Sequence, residues 1–295
     1  MSPWRALLRT VRPHQWVKNL FVAAPLVFSR HLQDAAPASR TAIAVLCFCL
    51  LSGAVYAFND VRDVDADRAH PEKRERPIAA GHLRERTALW AAAALAALAL
   101  GGCLALSWKL AAFAAAYGAV NLAYSLKLKH VAFVDVALIA GGFVLRVLGG
   151  AAAIDVRPSL WLLLCTSLLA AMLALGKRAH ELSWAARSAS TGVTRAALAG
   201  YRLPVVRVAV LALGVATAVA YVLYCLSPHT RAFFRTDDLI FTAPFPALGV
   251  ARFAFLSLGR PGPQSPTDAM LRDKLFVANV LAWASCVVWI VYRAR

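Results

Sequence analysis

Charge is scarce in this chain. Of 295 residues, 16% are Asp, Glu, Lys or Arg, against about 25% in an ordinary soluble domain. Acid is scarcer still, with 15 acidic residues against 32 basic ones. The charges gather in short islands between long apolar runs, which leaves no polar stretch from which to build a water-soluble domain. That excludes a conventional soluble enzyme and a disordered tail. Cysteine gives no disulfide scaffold either. Cys47, Cys49, Cys103, Cys165, Cys225 and Cys286 all lie inside apolar runs, and the two-residue step from Cys47 to Cys49 is not a metal-ligand spacing. All six read as small packing residues.

Hydrocarbon dominates what remains, at 60% of the residues. Apolar stretches recur near 14–32, 41–59, 88–106, 109–126, 133–153, 159–176, 205–226, 238–257 and 274–292. Each is close to the roughly 20 residues that cross a bilayer as a helix. The expected fold is all-α: a polytopic membrane protein of about nine transmembrane helices, forming a single domain over 1–295 with the lipid bilayer as its medium. The first stretch holds Pro25 and is expected to be broken or tilted. The eighth, with Pro244, Pro246 and Arg252, is the weakest span. The first stretch lacks a small-x-small cleavage site and is not expected to be a signal peptide. No repeat of 20–50 residues is visible.

A net charge of +17 would ordinarily suggest nucleic acid. Here the basic residues flank apolar spans, so no nucleic-acid partner is expected. With the N-terminus inside, 22 of the 32 fall in cytoplasmic segments and 8 outside. The positive-inside rule therefore predicts a cytoplasmic N-terminus in the inner (plasma) membrane. The longest cytoplasmic loops lie near 60–86 and 177–204, and are expected to cap the active site.

Seven of the fifteen acidic residues lie between 60 and 85. At about 100° per helical residue, Asp60, Asp63 and Asp67 fall near 0°, 300° and 340°, with Asn59 near 260°. These four share one face, while Asp65, near 140°, points away. Carboxylates on one face repel each other where the dielectric is low. Hard oxygen donors beside a phosphate site suit Mg²⁺ better than lysine does. The plainer reading is a solvated helix end paired to Arg62 and Arg68. A Pro- and Gly-punctuated loop follows, in which Lys73, Arg74 and Arg76 are suited to phosphate oxygens.

Asn-Asp-x-x-Asp-x-x-x-Asp (Asn59, Asp60, Asp63, Asp67) at the inner end of the second span resembles the first signature of the UbiA superfamily of intramembrane prenyltransferases. That resemblance implies a UbiA-type helical bundle in which the aspartates hold a diphosphate through Mg²⁺. Typical members carry a second aspartate-rich motif at the end of the sixth helix. This chain reads Lys177-Arg178-Ala179-His180-Glu181 there. That departure, with Arg12-Pro13-His14-Gln15-Trp16-Val17-Lys18-Asn19 and Tyr124-Ser125-Leu126-Lys127-Leu128-Lys129, resembles the polyprenyl-phosphate (decaprenyl-phosphate) phosphoribosyltransferase branch. The resemblance implies transfer of 5-phosphoribose from phosphoribosyl diphosphate (PRPP) to a polyprenyl phosphate, toward cell-wall arabinan precursors.

The residues fit that chemistry. PRPP has a diphosphate at one end and a 5-phosphate at the other, so one acidic motif and a separate cationic patch would serve it. The candidate metal ligands are Asn59, Asp60, Asp63 and Asp67, of which Asp60, Asp63 and Asp67 are also the candidate catalytic residues. Candidate substrate contacts are Lys18, Tyr56, Lys73, Arg76, Tyr124, Lys129, His130, Asp135, Lys177, Arg178 and Glu181. Asp135 and Arg146 are intramembrane charges, which are costly unless paired or functional. Asp135 is expected to join the site or to orient Lys129, Arg146 to tie helices, and Arg252 to snorkel. Gly-Gly at 141–142 and at 149–150 should allow close helix contact. Two other readings are a UbiA-type enzyme moving a prenyl group from prenyl diphosphate to an aromatic or lipid acceptor, and an ion-coupled transporter. Homo-oligomerisation is left open by the sequence.

Overall fold

The structure, a computed structural model, describes residues 1–69, 73–187, 196–259 and 266–293, among which every regular element is helical. Among the described residues, seven helices are long and apolar enough to cross a membrane. The other two expected spans differ in kind. The first is a 3-10 stretch, Pro13–Ala23, followed by a five-residue helix, Ala24–Phe28. Pro13 and Pro25 lack the N–H groups that a continuous helix needs. The fourth is a helix of 19 residues, Trp108–Leu126, that is not among the seven. The weak eighth span does qualify, over Asp238–Leu258.

The chain divides into two compact units, Met1–Leu128 with Val144–Pro158, and Lys129–Phe143 with Ser159–Arg295.

The first unit opens with α1 (Pro3–Val11), the 3-10 stretch and α2 (Ala24–Phe28), followed by α3 (Ala35–Arg62), α4 (Val64–Ala69), α5 (Glu85–Leu106) and α6 (Trp108–Leu126). It also takes the second half of α7 (Val134–Ala153). Its core joins Val22, Phe48, Leu51, Cys103, Leu110 and Tyr117. In a bilayer the gain comes from packing rather than from escape from water, so small residues matter. A Cβ on Gly150 would lie 1.8 Å from the carbonyl oxygen of Val22, and one on Gly149 2.8 Å from the Phe48 ring. A Cβ on Gly141 would meet nothing within 4 Å. The expected close approach therefore holds at 149–150 and not at Gly141.

Two arginines tie this unit together. Arg40 donates to the carbonyls of Ala153 (2.6 Å) and Leu106 (2.9 Å), the last residues of α7 and α5. It so places one cation where two helix dipoles end. Arg146 is buried, bonds Asn19 Oδ1 and the Tyr117 hydroxyl (both 2.8 Å), and stacks 4.5 Å from the Tyr117 ring. Asn19 in turn donates to Ser52 at 3.1 Å. α1 covers the loop that follows the acidic island, since Ala6 packs with Val64, Ile78, Leu83 and Ala88.

The second unit holds the first half of α7, α8 (Leu160–Arg187), α9 (Leu203–Leu226), α10 (Pro228–Phe234), α11 (Pro244–Leu258), α12 (Pro266–Arg272) and α13 (Lys274–Arg293). Met172, Leu175, Val206, Val210 and Phe253 form its core. Arg252 does not simply snorkel as expected. It reaches Asp273, Nη2 to Oδ2, at 2.6 Å, and Asp273 also accepts from the Phe276 amide at the start of α13.

Candidate active site

In the first unit, α3 brings Tyr56, Asn59 and Asp60 to its C-terminal end and stops at Arg62. Asp63 sits at the cap with φ −99° and ψ 9°, its amide bonded to the Asn59 carbonyl at 2.9 Å. α4 starts afresh at Val64. The acidic island is therefore not the single continuous helix face that the sequence suggests, because ψ near 0° interrupts the α-helical path. The bend is mild, since the Asp67 amide still bonds the Asp63 carbonyl at 2.7 Å. Asp60 and Asp67 turn inward and are buried, while Asp65 faces solvent and meets Arg68 at 3.2 Å. Asp63 is half-buried.

The two buried carboxylates, Asp60 and Asp67, are neutralised by arginines other than the Arg62 and Arg68 that the sequence offers. Arg12 Nη2 lies 2.5 Å from Asp60 Oδ1. Arg76 Nη1 lies 3.2 Å from the same oxygen and 2.7 Å from Asp67 Oδ2. Arg12 also stacks over Tyr56, 5.0 Å from its ring centre. Arg76, expected to face substrate phosphate, is thus turned to the aspartates, because two buried carboxylates need cations within reach. Lys73, in the turn Lys73–Glu75, and Lys18, in the 3-10 stretch, are both half-buried.

Whether these residues suit Mg²⁺ is a question of donors. Asn59 Oδ1 is buried with no hydrogen-bond partner, an orphaned hard oxygen of the kind that needs explaining. Among the described residues no three His, Cys, Asp or Glu side chains gather into a metal cage. Mg²⁺ asks for less: one or two carboxylates with substrate phosphates and water completing the shell. The Asn59, Asp60, Asp63 and Asp67 set fits that demand.

In the second unit, Asp135 near the start of α7 and Arg178 near the end of α8 are both fully buried, with Asp135 Oδ2 2.7 Å from Arg178 Nε. Glu181, one turn on, bonds Arg178 Nη1. The Tyr201 hydroxyl donates to Asp135 Oδ1 at 2.5 Å and accepts from the Phe133 amide at 2.7 Å. Burial, then the bond to Asp135, pushes the Tyr201 hydroxyl above its ordinary range. This differs from the sequence expectation of Arg178 as an open phosphate donor. A guanidinium sealed in apolar surroundings needs its charge matched close by, and the two acids supply that match. Lys177 is half-buried, as is Tyr124 on α6. In the turn Leu128–His130, Lys129 is buried and His130 exposed. In the loop 177–204, residues 188–195 lie outside the described residues.

Sequence reasoning missed Arg12 and Tyr201 as participants. Arg12-Pro13 does mark a break between helices, and Arg12 takes a left-handed backbone there (φ 52°, ψ 65°). Tyr201 carries no comparable signal.

These features place the chain among helical membrane enzymes of one known kind. Residues 20–280 match the model of the UbiA prenyltransferase family, and the chain belongs to that family. It is a multi-pass membrane protein. It is 36% identical over 302 residues to the decaprenyl-phosphate phosphoribosyltransferase of Mycolicibacterium smegmatis, covering 97% of this chain and 92% of the relative. To the enzyme of the same name from Corynebacterium glutamicum it is 35% identical, with 97% and 86% covered. A UbiA homologue from Archaeoglobus fulgidus, solved bound to GPP and Mg²⁺, superposes with a TM-score of 0.72 at 16% identity, covering 98% of this chain and 99% of that one. A homologue from Aeropyrum pernix K1 gives 0.63 at 19%, covering 95% and 96%.

Proposed function

We propose that this chain transfers 5-phosphoribose from PRPP to a polyprenyl phosphate, with release of pyrophosphate, on the cytoplasmic face of the inner membrane. The observation that carries this reading is the end of α8. The acids near it, Asp135 and Glu181, are both bonded to Arg178. That supports a single metal-binding motif, as PRPP with one diphosphate requires, rather than the two that ionise a prenyl diphosphate. The names of relatives more than 30% identical over nearly the full chain favour the same reaction.

The step is a substitution at the anomeric carbon. An oxygen of the lipid phosphate forms a bond to C1 of the ribose, and the bond from C1 to the diphosphate breaks, its electrons leaving with pyrophosphate. At neutral pH the acceptor phosphate is already an anion, so no strong general base is needed. Asn59 and Asp63, with Asp60 and Asp67, would hold Mg²⁺, which supplies charge stabilisation for the departing diphosphate. Asp60 and Asp67 also hold Arg12 and Arg76 beside that position. Lys18, Lys73 and Lys177 are cations for the remaining phosphates, and Tyr56, Tyr124, Lys129 and His130 are further candidate contacts. Asp135, Glu181 and Tyr201 fix Arg178, so the four act by positioning the end of α8. Catalysis then rests on positioning and charge stabilisation.

The test is direct. Purified protein given labelled PRPP, decaprenyl phosphate and Mg²⁺ should yield a phosphoribosylated lipid and pyrophosphate. Transfer from a prenyl diphosphate alone would overturn the reading in favour of a prenyltransferase.

A further inference from the structure

Asp60 Oδ1 receives two guanidinium donors at once, from Arg12 at 2.5 Å and from Arg76 at 3.2 Å, and Arg76 reaches on to Asp67. A carboxylate oxygen has two lone-pair sites. With both engaged, that oxygen cannot also ligate a cation unless an arginine leaves. The aspartate side chains are 2% and 4% exposed, while those of Arg12 and Arg76 are 24% and 29% exposed. The guanidinium groups therefore form the open side of the cluster, and an ion approaching from solvent meets them first.

We propose that Arg12 and Arg76 are exchange counter-ions: they neutralise Asp60 and Asp67 in the resting enzyme and turn to the substrate's phosphate oxygens when a divalent cation and a diphosphate arrive. The charges match, since a divalent ion replaces two guanidinium charges and the two buried carboxylates are never left bare, a state that is strongly destabilising. The freed groups have a destination, because guanidinium forks pair well with phosphate. The anchors also permit the movement. Arg12 sits in the break between α1 and the 3-10 stretch, and Arg76 follows the turn Lys73–Glu75, so neither side chain is held on a long helix. Tyr56 gives Arg12 a ring to pivot on. The same exchange couples metal entry to substrate entry: metal alone must displace cations that only the phosphates can receive well.

This inference rests on the metal reading above, and the experiment separates the two. Mn²⁺ binding to the purified full-length protein is measured by electron paramagnetic resonance, without any phosphate compound, for the wild type, Arg12→Gln, Arg76→Gln and Asp63→Asn. Each arginine variant should bind Mn²⁺ more tightly, by about five-fold or more, and should bind PRPP more weakly in the presence of Mn²⁺ by about ten-fold, the scale of one charge-assisted contact. Arg12→Lys, which keeps the charge and is the milder change, should fall between wild type and Arg12→Gln and stands in should the glutamine variants not fold. Unchanged or weaker Mn²⁺ binding in the arginine variants, with binding lost in Asp63→Asn, overturns the exchange alone. Binding that Asp63→Asn leaves intact overturns the metal assignment itself.

Discussion

Asp135 and Arg178 meet at 2.7 Å with neither side chain exposed, a bond that joins the start of α7 to the last turns of α8. Removing one member of a buried pair leaves the other charge uncompensated, at a cost of about 3–5 kcal/mol, whereas replacing both by apolar residues is often neutral. Asp135→Ala should therefore lower the thermal midpoint steeply. The double variant Asp135→Leu with Arg178→Met should recover most of the stability but little of the turnover. A double variant with full activity would show that the pair only packs.

Tyr201 makes a second, pH-dependent test of the same cluster. Its hydroxyl is held above the ordinary tyrosine range by burial and by the bond to Asp135. The folded state thus keeps a proton that the unfolded chain loses near pH ~10. Folded protein binds more protons in that window, so this hydroxyl's stabilisation is fully present below pH ~10 and declines as pH rises through the folded value. Tyr201→Phe should cost about 1–2 kcal/mol at neutral pH, the scale of a lost buried hydrogen bond. It should also flatten the alkaline fall in the thermal midpoint relative to wild type. Parallel alkaline profiles would remove Tyr201 from the cluster's titration.

Much of this was legible in the sequence, for definite reasons. Hydropathy locates the long helices because a bilayer admits almost nothing else, and helical spacing puts Asp60 and Asp67 on one face, although it groups the half-buried Asp63 with them. The failures come from distance along the chain and from local backbone. Helical periodicity takes residues 59–67 as continuous and does not see the cap at Asp63. Arg12 lies 48 residues from Asp60, and Tyr201 lies 66 from Asp135; no periodicity connects such partners. Arg178 reads as a phosphate donor because charge in a sequence does not reveal burial, and burial decides whether a cation faces substrate or its own counter-ions.

Gly150 and Gly141 make a paired test of packing on α7. The Cβ of Gly150→Ala would fall 1.8 Å from backbone, at Val22, which cannot yield as a flexible side chain can. That variant should lose stability by several kcal/mol and be recovered poorly from membranes. Gly141→Ala meets open space and should be neutral or gain about 0.5–1 kcal/mol from helix propensity. Thermal midpoints in one detergent decide the matter, and equal effects at the two positions would contradict the packing described.

Asp63 and Asp67 should separate metal holding from ion pairing. Asp67 is buried and bonded to Arg76 at 2.7 Å, so Asp67→Ala loses an internal partner as well as an oxygen donor. It should lower both turnover and the thermal midpoint. Asp63 is half-buried at the helix cap, and its removal strands neither of the two buried carboxylates. Asp63→Ala should insert and fold nearly as wild type, yet lose turnover by about 100-fold or more, as expected when charge stabilisation of a leaving group is lost. Raising Mg²⁺ should restore part of that loss if Asp63 acts through the metal. Near-normal rates for Asp63→Ala at low Mg²⁺ would exclude it from the site, and the metal would then have to be held by Asn59, Asp60 and Asp67 without it.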